Sequence, residues 1–144
     1  MPGAHVNLVK LCVGADSVED LVRWQAARIA EDPAHQPRHV TRMFPRRADA
    51  LLAGGSLYWV IRGAILARQR ILALDEVTGG DGIRRCAIRL DPAILRTVAA
   101  TRRPFQGWRY LPAADAPPDL PQARKGETAL PPGLAEALAA FGLR

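Results

Sequence analysis

Thr78-Gly79-Gly80-Asp81-Gly82 separates two runs of strand-forming residues, and this junction restricts the chain more than any other. Glycines adopt positive φ at no steric cost, so Arg68 to Val77 and Ile83 to Leu90 are expected to double back as an antiparallel hairpin. Asp91-Pro92 stops the second run, because proline cannot donate to a ladder. Ser56 to Ile65 is another β-branched and aromatic run, joined to the hairpin through a turn near Gly63 to Ala67. Near-alternation of apolar residues marks His5 to Val13 and Arg38 to Phe44 as strands, and Phe105 to Leu111 as the final one.

Two helices interrupt the strands. Ser17 offers an N-cap with Asp20 three residues on, and Val18, Leu21, Val22, Gln25 and Ile29 then share one face, with Trp24 beside them. That helix is expected to reach about Glu31 and stop before Pro33. Pro45 suits the first turn of a short helix over RRADALLA, closed by Gly54 and Gly55. The order is strand, helix, strand, short helix, then four strands. It predicts an α+β fold built on a strongly curved, mostly antiparallel sheet or a small β-barrel with flanking helices, an open sandwich being the alternative. At 144 residues the chain is long enough for one domain with a real core, expected over 1–111. Residues 112–144 carry PPDLP and LPP and predict a Pro/Ala-rich extended tail with a short helix at Gly133 to Phe141.

The charge is concentrated. Between Arg38 and Arg109 lie fourteen arginines against five acids, while the segments before and after are slightly acidic. A basic middle of this kind attracts phosphate or an acidic partner. No apolar run is long enough to span a bilayer, since the best, Leu57 to Ile61, ends at Arg62. MPGAHVNLVKLCVG lacks the basic-then-apolar order of a secretory leader, and Cys12 and Cys86 lie far apart, so a cytoplasmic protein with reduced thiols is expected.

Strand parity sorts the arginines. Cys86, Ile88 and Leu90 mark the core face of their strand, which puts Arg85 and Arg89 outside. Arg68 and Arg70 share parity with Leu72 and Leu74, at the rim of an apolar face, with Gln69 opposite. Arg42 falls with Val40 and Phe44, and Arg62 with Tyr58 and Val60. An arginine so placed must snorkel, pair with a carboxylate such as Asp49, Asp75 or Glu76, or meet a ligand.

RRPFQGWRYL interleaves Arg102, Arg103 and Arg109 with Phe105, Trp108 and Tyr110, the composition of a nucleic-acid contact strip or of a core-closing strand with solvated arginines. Arg46 and Arg47 stand at the start of the short helix, where backbone amides can meet an anion. The double glycine is no phosphate loop, because no GK[ST] follows. Two cysteines and the histidines His5, His35 and His39 have no ligand spacing, so no metal and no cofactor are expected. No nucleophile elbow or carboxylate pair is present, leaving His39 and Asp49 as the acid–base candidates.

The blocks RHVTRMFPRRAD, GGSLYWVIRGAILARQRIL, DGIRRC, LDP and RPFQGWRYL, in this order and spacing, resemble an alphaproteobacterial domain-of-unknown-function family, number 1489, over about Asn7 to Leu120. The resemblance implies a bacterial, single-domain protein and carries no activity with it. More distantly, the glycine-ended short helix followed by arginine-bearing strands is similar to PUA-like and ASCH-like barrels, which implies binding of RNA or modified bases. Hydrolases among them have a lysine after the helix-ending glycine. Here Gly55 and Ser56 stand there, and no lysine lies between Lys10 and Lys125.

Three functions follow as expectations. The first is an RNA- or nucleotide-binding module, with Arg42, Arg46, Arg47, Arg62, Arg68 and Arg109 on phosphates. Tyr58 or Trp108 would stack a base, and Gln69 or Gln106 would read its edge. The second is a small nucleotide or modified-nucleoside hydrolase using His39 or Asp49, with Arg42 holding a phosphate. The third is a protein-interaction domain whose basic face meets an acidic partner, and no membrane partner is expected.

Overall fold

The computed structural model describes residues 5–32 and 36–121. Its first strand, β1 (Val6–Leu11), leads into the helix α1 (Val18–Glu31). The Ser17 hydroxyl accepts the Asp20 N–H at 3.3 Å, and the Asp20 carboxylate accepts the Asp16 N–H at 2.9 Å, so the reciprocal cap reaches back one residue past Ser17. β2 (Arg38–Thr41) and the one-turn helix α2 (Ala48–Leu52) follow. A helix this short has no stability of its own. Leu51, fully buried, holds it down, a burial that contributes about 2 kcal/mol.

Five strands come next: β3 (Ser56–Ile61), β4 (Ala64–Thr78), β5 (Arg84–Leu90), β6 (Leu95–Thr101) and β7 (Trp108–Pro112). The sheet runs β2-β5-β4-β3-β1-β7, with β6 also against β4. Among the described residues only the β1–β3 ladder is parallel; the other five are antiparallel. Fifteen-residue β4 is the spine. Its first half lies between β3 and β6, and its second half pairs with β5. Register shifts at Trp59/Val60 and Ile65/Ala67 interrupt the ladders of its first half, and a third, at Ile71/Ala73, lies where β4 passes to β5. The fold is α+β with a curved sheet. It does not close into the barrel that was the other expectation, because β2 and β7 remain as the ends of the strand path.

Each face of the sheet carries its own core. Leu8, Leu57, Trp59, Ile71, Ile88 and Trp108 pack with Val18 and Leu21 of α1 and Leu51 of α2. Val9, Tyr58, Val60, Ile65 and Leu111 form the second core, against which Phe105, Ala100 and Ala116 are partly buried. Gly55 lies where the first core is tightest. A Cβ there would meet the Val6 carbonyl oxygen at 2.2 Å and the Leu51 carbonyl oxygen at 2.7 Å, so only glycine fits.

Three local expectations need correction. The β3–β4 turn is the two-residue pair Arg62-Gly63, both at positive φ (52° and 82°), so β4 begins at Ala64 and residues 64–67 are ladder rather than turn. The strand expected to run to Phe44 ends at Thr41, and Phe105 lies in a loop before β7. β6 was not expected: its LRTVAAT has no clean alternation, and its pairing with β4 supplies the order. β7 itself runs through Pro112. Beyond it the chain forms the 3-10 turn Ala113–Asp115 and then runs along β6, with Val98 N–H donating to the Pro118 carbonyl at 2.8 Å and Leu120 N–H to the Arg96 carbonyl at 2.9 Å. The helix expected at Gly133 to Phe141 lies outside the described residues. No helix among the described residues is long and apolar enough to cross a membrane.

Candidate functional site

α1 is held to the sheet at its start, by buried Val18 and Leu21. Farther along only Gln25 and Ile29 are half-buried, and a cleft of about 540 Å³ opens between the helix and the sheet. This is the size of an ordinary small-molecule site. Trp59, Leu90 and Cys12 form apolar wall, and Trp24 closes the helix side. His39 enters from β2, Lys10 from β1, and Arg28 and Arg38 stand at the margins with Glu31.

A buried amide network fixes the floor. Gln69 is fully buried; its Oε1 accepts from Trp59 Nε1 at 3.0 Å and from Gln25 Nε2 at 2.9 Å. Its Nε2 donates to Gln25 Oε1 at 2.7 Å and to the Asp91 carbonyl at 2.9 Å. Gln69 thus locks the indole of Trp59 and ties the outer half of α1 to the sheet. His39 meets Trp59 edge-on, ring centroids 5.5 Å apart at 87°. Its Nε2 is buried without a hydrogen-bond partner among the described residues. Burial, and then the positive charge of Lys10, push the His39 pKa down to about 4, so the ring is neutral at pH 7. Burial and the Asp20 carboxylate push the Cys12 thiol up to about 11 against the opposing pull of Lys10, which keeps it protonated.

Lys10, Arg28 and Arg38 form no ion pair among the described residues. The cleft therefore offers aromatic faces, one neutral imidazole with an open nitrogen, and three uncommitted cations. This set suits a flat ring bearing a negative group. No cluster of three metal-ligating side chains occurs among the described residues.

Most of the expected site residues lie elsewhere. Gln69 is internal, with its amide spent on the network above. Trp108, 6% exposed, donates its Nε1 to the Met43 carbonyl at 2.9 Å and closes the first core. Arg47 stands at the N-cap position of α2 without a side-chain cap bond, lies over the Tyr110 ring at 5.7 Å and donates its backbone N–H to the Tyr110 hydroxyl. Arg109 lies over Phe105, a residue of the second core, on the other face of β7. Arg42 and Arg46 are exposed beyond β2, Asp49 is exposed on α2, and Gln106 is exposed in the loop before β7. Arg62, suspected on an apolar face, sits in the hairpin turn 3.9 Å from Asp16, both side chains largely exposed. Arg68 and Tyr58 do come together, on the second face, where Arg68 is held by Asp119. Arg85 and Arg89 point outward as expected and pair with Asp81 and Asp75.

Of the acid–base candidates, only His39 is in the cleft. Lys10, Trp59, Arg28 and Arg38 escaped the sequence reading. Lys10 carried a usable signal: it shares strand parity with Val6, Leu8 and Cys12, a cation on an apolar face.

No curated protein and no solved structure matches the chain. One family does match, over residues 8–144, which take in every residue lining the cleft and the segment after β7. The chain belongs to that family, DUF1489, described as a protein of unknown function.

Proposed function

We propose that the chain is a binding module for a nucleotide or a short stretch of RNA, taken up in the cleft beneath α1. The carrying observation is the set of three cations, Lys10, Arg28 and Arg38, unpaired among the described residues, around a tryptophan-walled cleft with a buried imidazole nitrogen that has no partner there. In this reading a base lies against Trp59 and Trp24 and offers a polar edge to His39. Stacking on an aromatic side chain is worth about 1–3 kcal/mol per base. The phosphate meets the three cations, and Arg42, just past the end of β2, takes a second phosphate of a longer strand.

The reading favours binding over hydrolysis. An imidazole with a pKa near 4 is a weak base at neutral pH, and the Cys12 thiol is not ionised. Two free, buried cysteines fit a reducing cytoplasm.

Isothermal titration with the four common mononucleotides, and anisotropy with labelled RNA 8-mers, would be run at 50 and 300 mM salt. Saturable binding that weakens with salt, and that falls about tenfold in Lys10→Gln and again in Arg38→Gln, is expected. Absence of binding at 50 mM salt, or binding untouched by both substitutions, overturns the proposal. Arg84→Gln, at an exposed pair with Glu76 on β5, is the control.

A further inference from the structure

The second face of the sheet carries a smaller cavity of about 340 Å³ at the start of β1. Asn7, Ser56, Tyr58 and Arg68 line it from the sheet, and Asp119 and the prolines before it from the segment after β7. Asn7 is 2% exposed, and its Oδ1 accepts the Ser56 N–H at 2.9 Å. That bond fixes which end of the amide is which. Turning the amide over would set two donors against each other, so Nδ2 must remain the free end. It is buried and has no partner among the described residues. An orphaned buried donor costs about 1–3 kcal/mol, a cost a bound acceptor would remove.

The surrounding groups define that acceptor. Ser56 Oγ accepts from Arg68 Nη1 at 2.8 Å, so its own proton is available to donate. Tyr58, 7% exposed, brings a phenolic hydroxyl with no hydrogen bond among the described residues. Burial raises its pKa, the Arg68 charge opposing and the Asp119 charge adding, so it stays a donor at neutral pH. Arg68 and Asp119 pair in a fork, Nε to Oδ1 at 2.8 Å and Nη2 to Oδ2 at 2.7 Å. Their formal charges cancel. An added anion would face the Asp119 carboxylate, and among the described lining residues, which include His5, no lysine or arginine is left uncommitted beside it. An uncharged ligand meets no such repulsion, and it can use the second lone pairs of Asp119 to accept an N–H.

We propose that this cavity is a binding site for an uncharged amide- or imide-bearing small molecule. The ligand carbonyl accepts from Asn7 Nδ2 and the Tyr58 hydroxyl, and its N–H donates to Asp119. The site lies on the opposite face from the cleft beneath α1, and its argument does not depend on what that cleft binds.

The test is an NMR titration of the full chain at pH 8, following the Asn7 side-chain amide signals. Succinimide and acetamide are the neutral probes; acetate and inorganic phosphate are the anionic ones. Saturable shifts of the Asn7 signals with the neutral probes at millimolar concentration, and none with the anions, are expected. Tyr58→Phe, which keeps the ring in the core, should weaken succinimide about fivefold or more. Asn7→Asp, which keeps the acceptor for Ser56 and removes the donor, should abolish it, read in that variant from the Ser56 backbone amide. Shifts with acetate or phosphate alone, no shift at 50 mM of any probe, or unchanged affinity in Tyr58→Phe would overturn the proposal. Because Tyr58→Phe leaves Asn7 untouched, the test stands even if Asn7→Asp fails to fold.

Discussion

His39 makes the fold sensitive to mild acid. An unfolded histidine takes up a proton near pH 6.5, whereas folded His39 refuses it until about pH 4. The stability tied to this residue is therefore full above about pH 6.5 and is lost progressively as pH falls toward 4. A gap of about 2.5 units, at 1.36 kcal/mol each, corresponds to about 3 kcal/mol. That is a large part of the 5–15 kcal/mol typical of a domain. Urea unfolding of the wild type and His39→Gln from pH 4.5 to 8 measures it. The variant should lack most of the pH slope between 4.5 and 6.5 and keep the same m-value. Lys10→Gln should move the histidine midpoint upward, since the Lys10 charge is the second cause of the depression. Parallel pH profiles for wild type and variant would refute the reasoning. So would an NMR midpoint for His39 near 6.5.

Gln69→Leu removes four hydrogen bonds and leaves Trp59 Nε1 buried without an acceptor, so a loss of about 2–4 kcal/mol is expected by urea unfolding. A loss under 0.5 kcal/mol would mean that water replaces the amide. Gly55→Ala drives a methyl into the Val6 and Leu51 carbonyls and should cost about 3 kcal/mol or more, read as a fall in Tm and in soluble yield. Asp119→Ala should leave global stability within about 1 kcal/mol, because both partners of its ion pair are partly exposed, yet speed proteolysis just after β7. Acid should do the same to the wild type. Arg68 holds the Asp119 pKa below its ordinary 3.8, so the pair persists through that pH and is lost only below it.

What the sequence disclosed depended on how local the cause was. The start of α1 was legible because Ser17 acts on its immediate neighbours. The Thr78 to Gly82 turn was legible for the same reason. Parity failed in β4, where the register shift between Ile71 and Ala73 leaves Ile71 buried and Leu72 43% exposed. Gln69 went to the core instead of reading a base edge, because Trp59, Gln25 and Asp91, distant in sequence, satisfy its amide. The cleft was hidden for a related reason. Lys10, Arg28 and Arg38 meet only after α1 has been laid across the sheet, and no short window contains all three. Clustered arginine pointed to the middle of the chain, but Arg68, Arg85, Arg89 and Arg96 spend their charge on Asp119, Asp81, Asp75 and Glu19.

The β1–β7 ladder sets Val6 opposite Pro112 and Lys10 opposite Trp108. On the ribosome, β1 leaves the exit tunnel long before the strand that covers its outer edge has been made. At 5–20 residues per second the intervening hundred or so residues take about 5–20 s to synthesise. For that interval the nascent chain carries an apolar strand with a bare edge, open to pairing with other chains. A circular permutant beginning at Gly80 would deliver β6 and β7 ahead of β1 and shorten the exposure, which makes yield at high expression the property to compare.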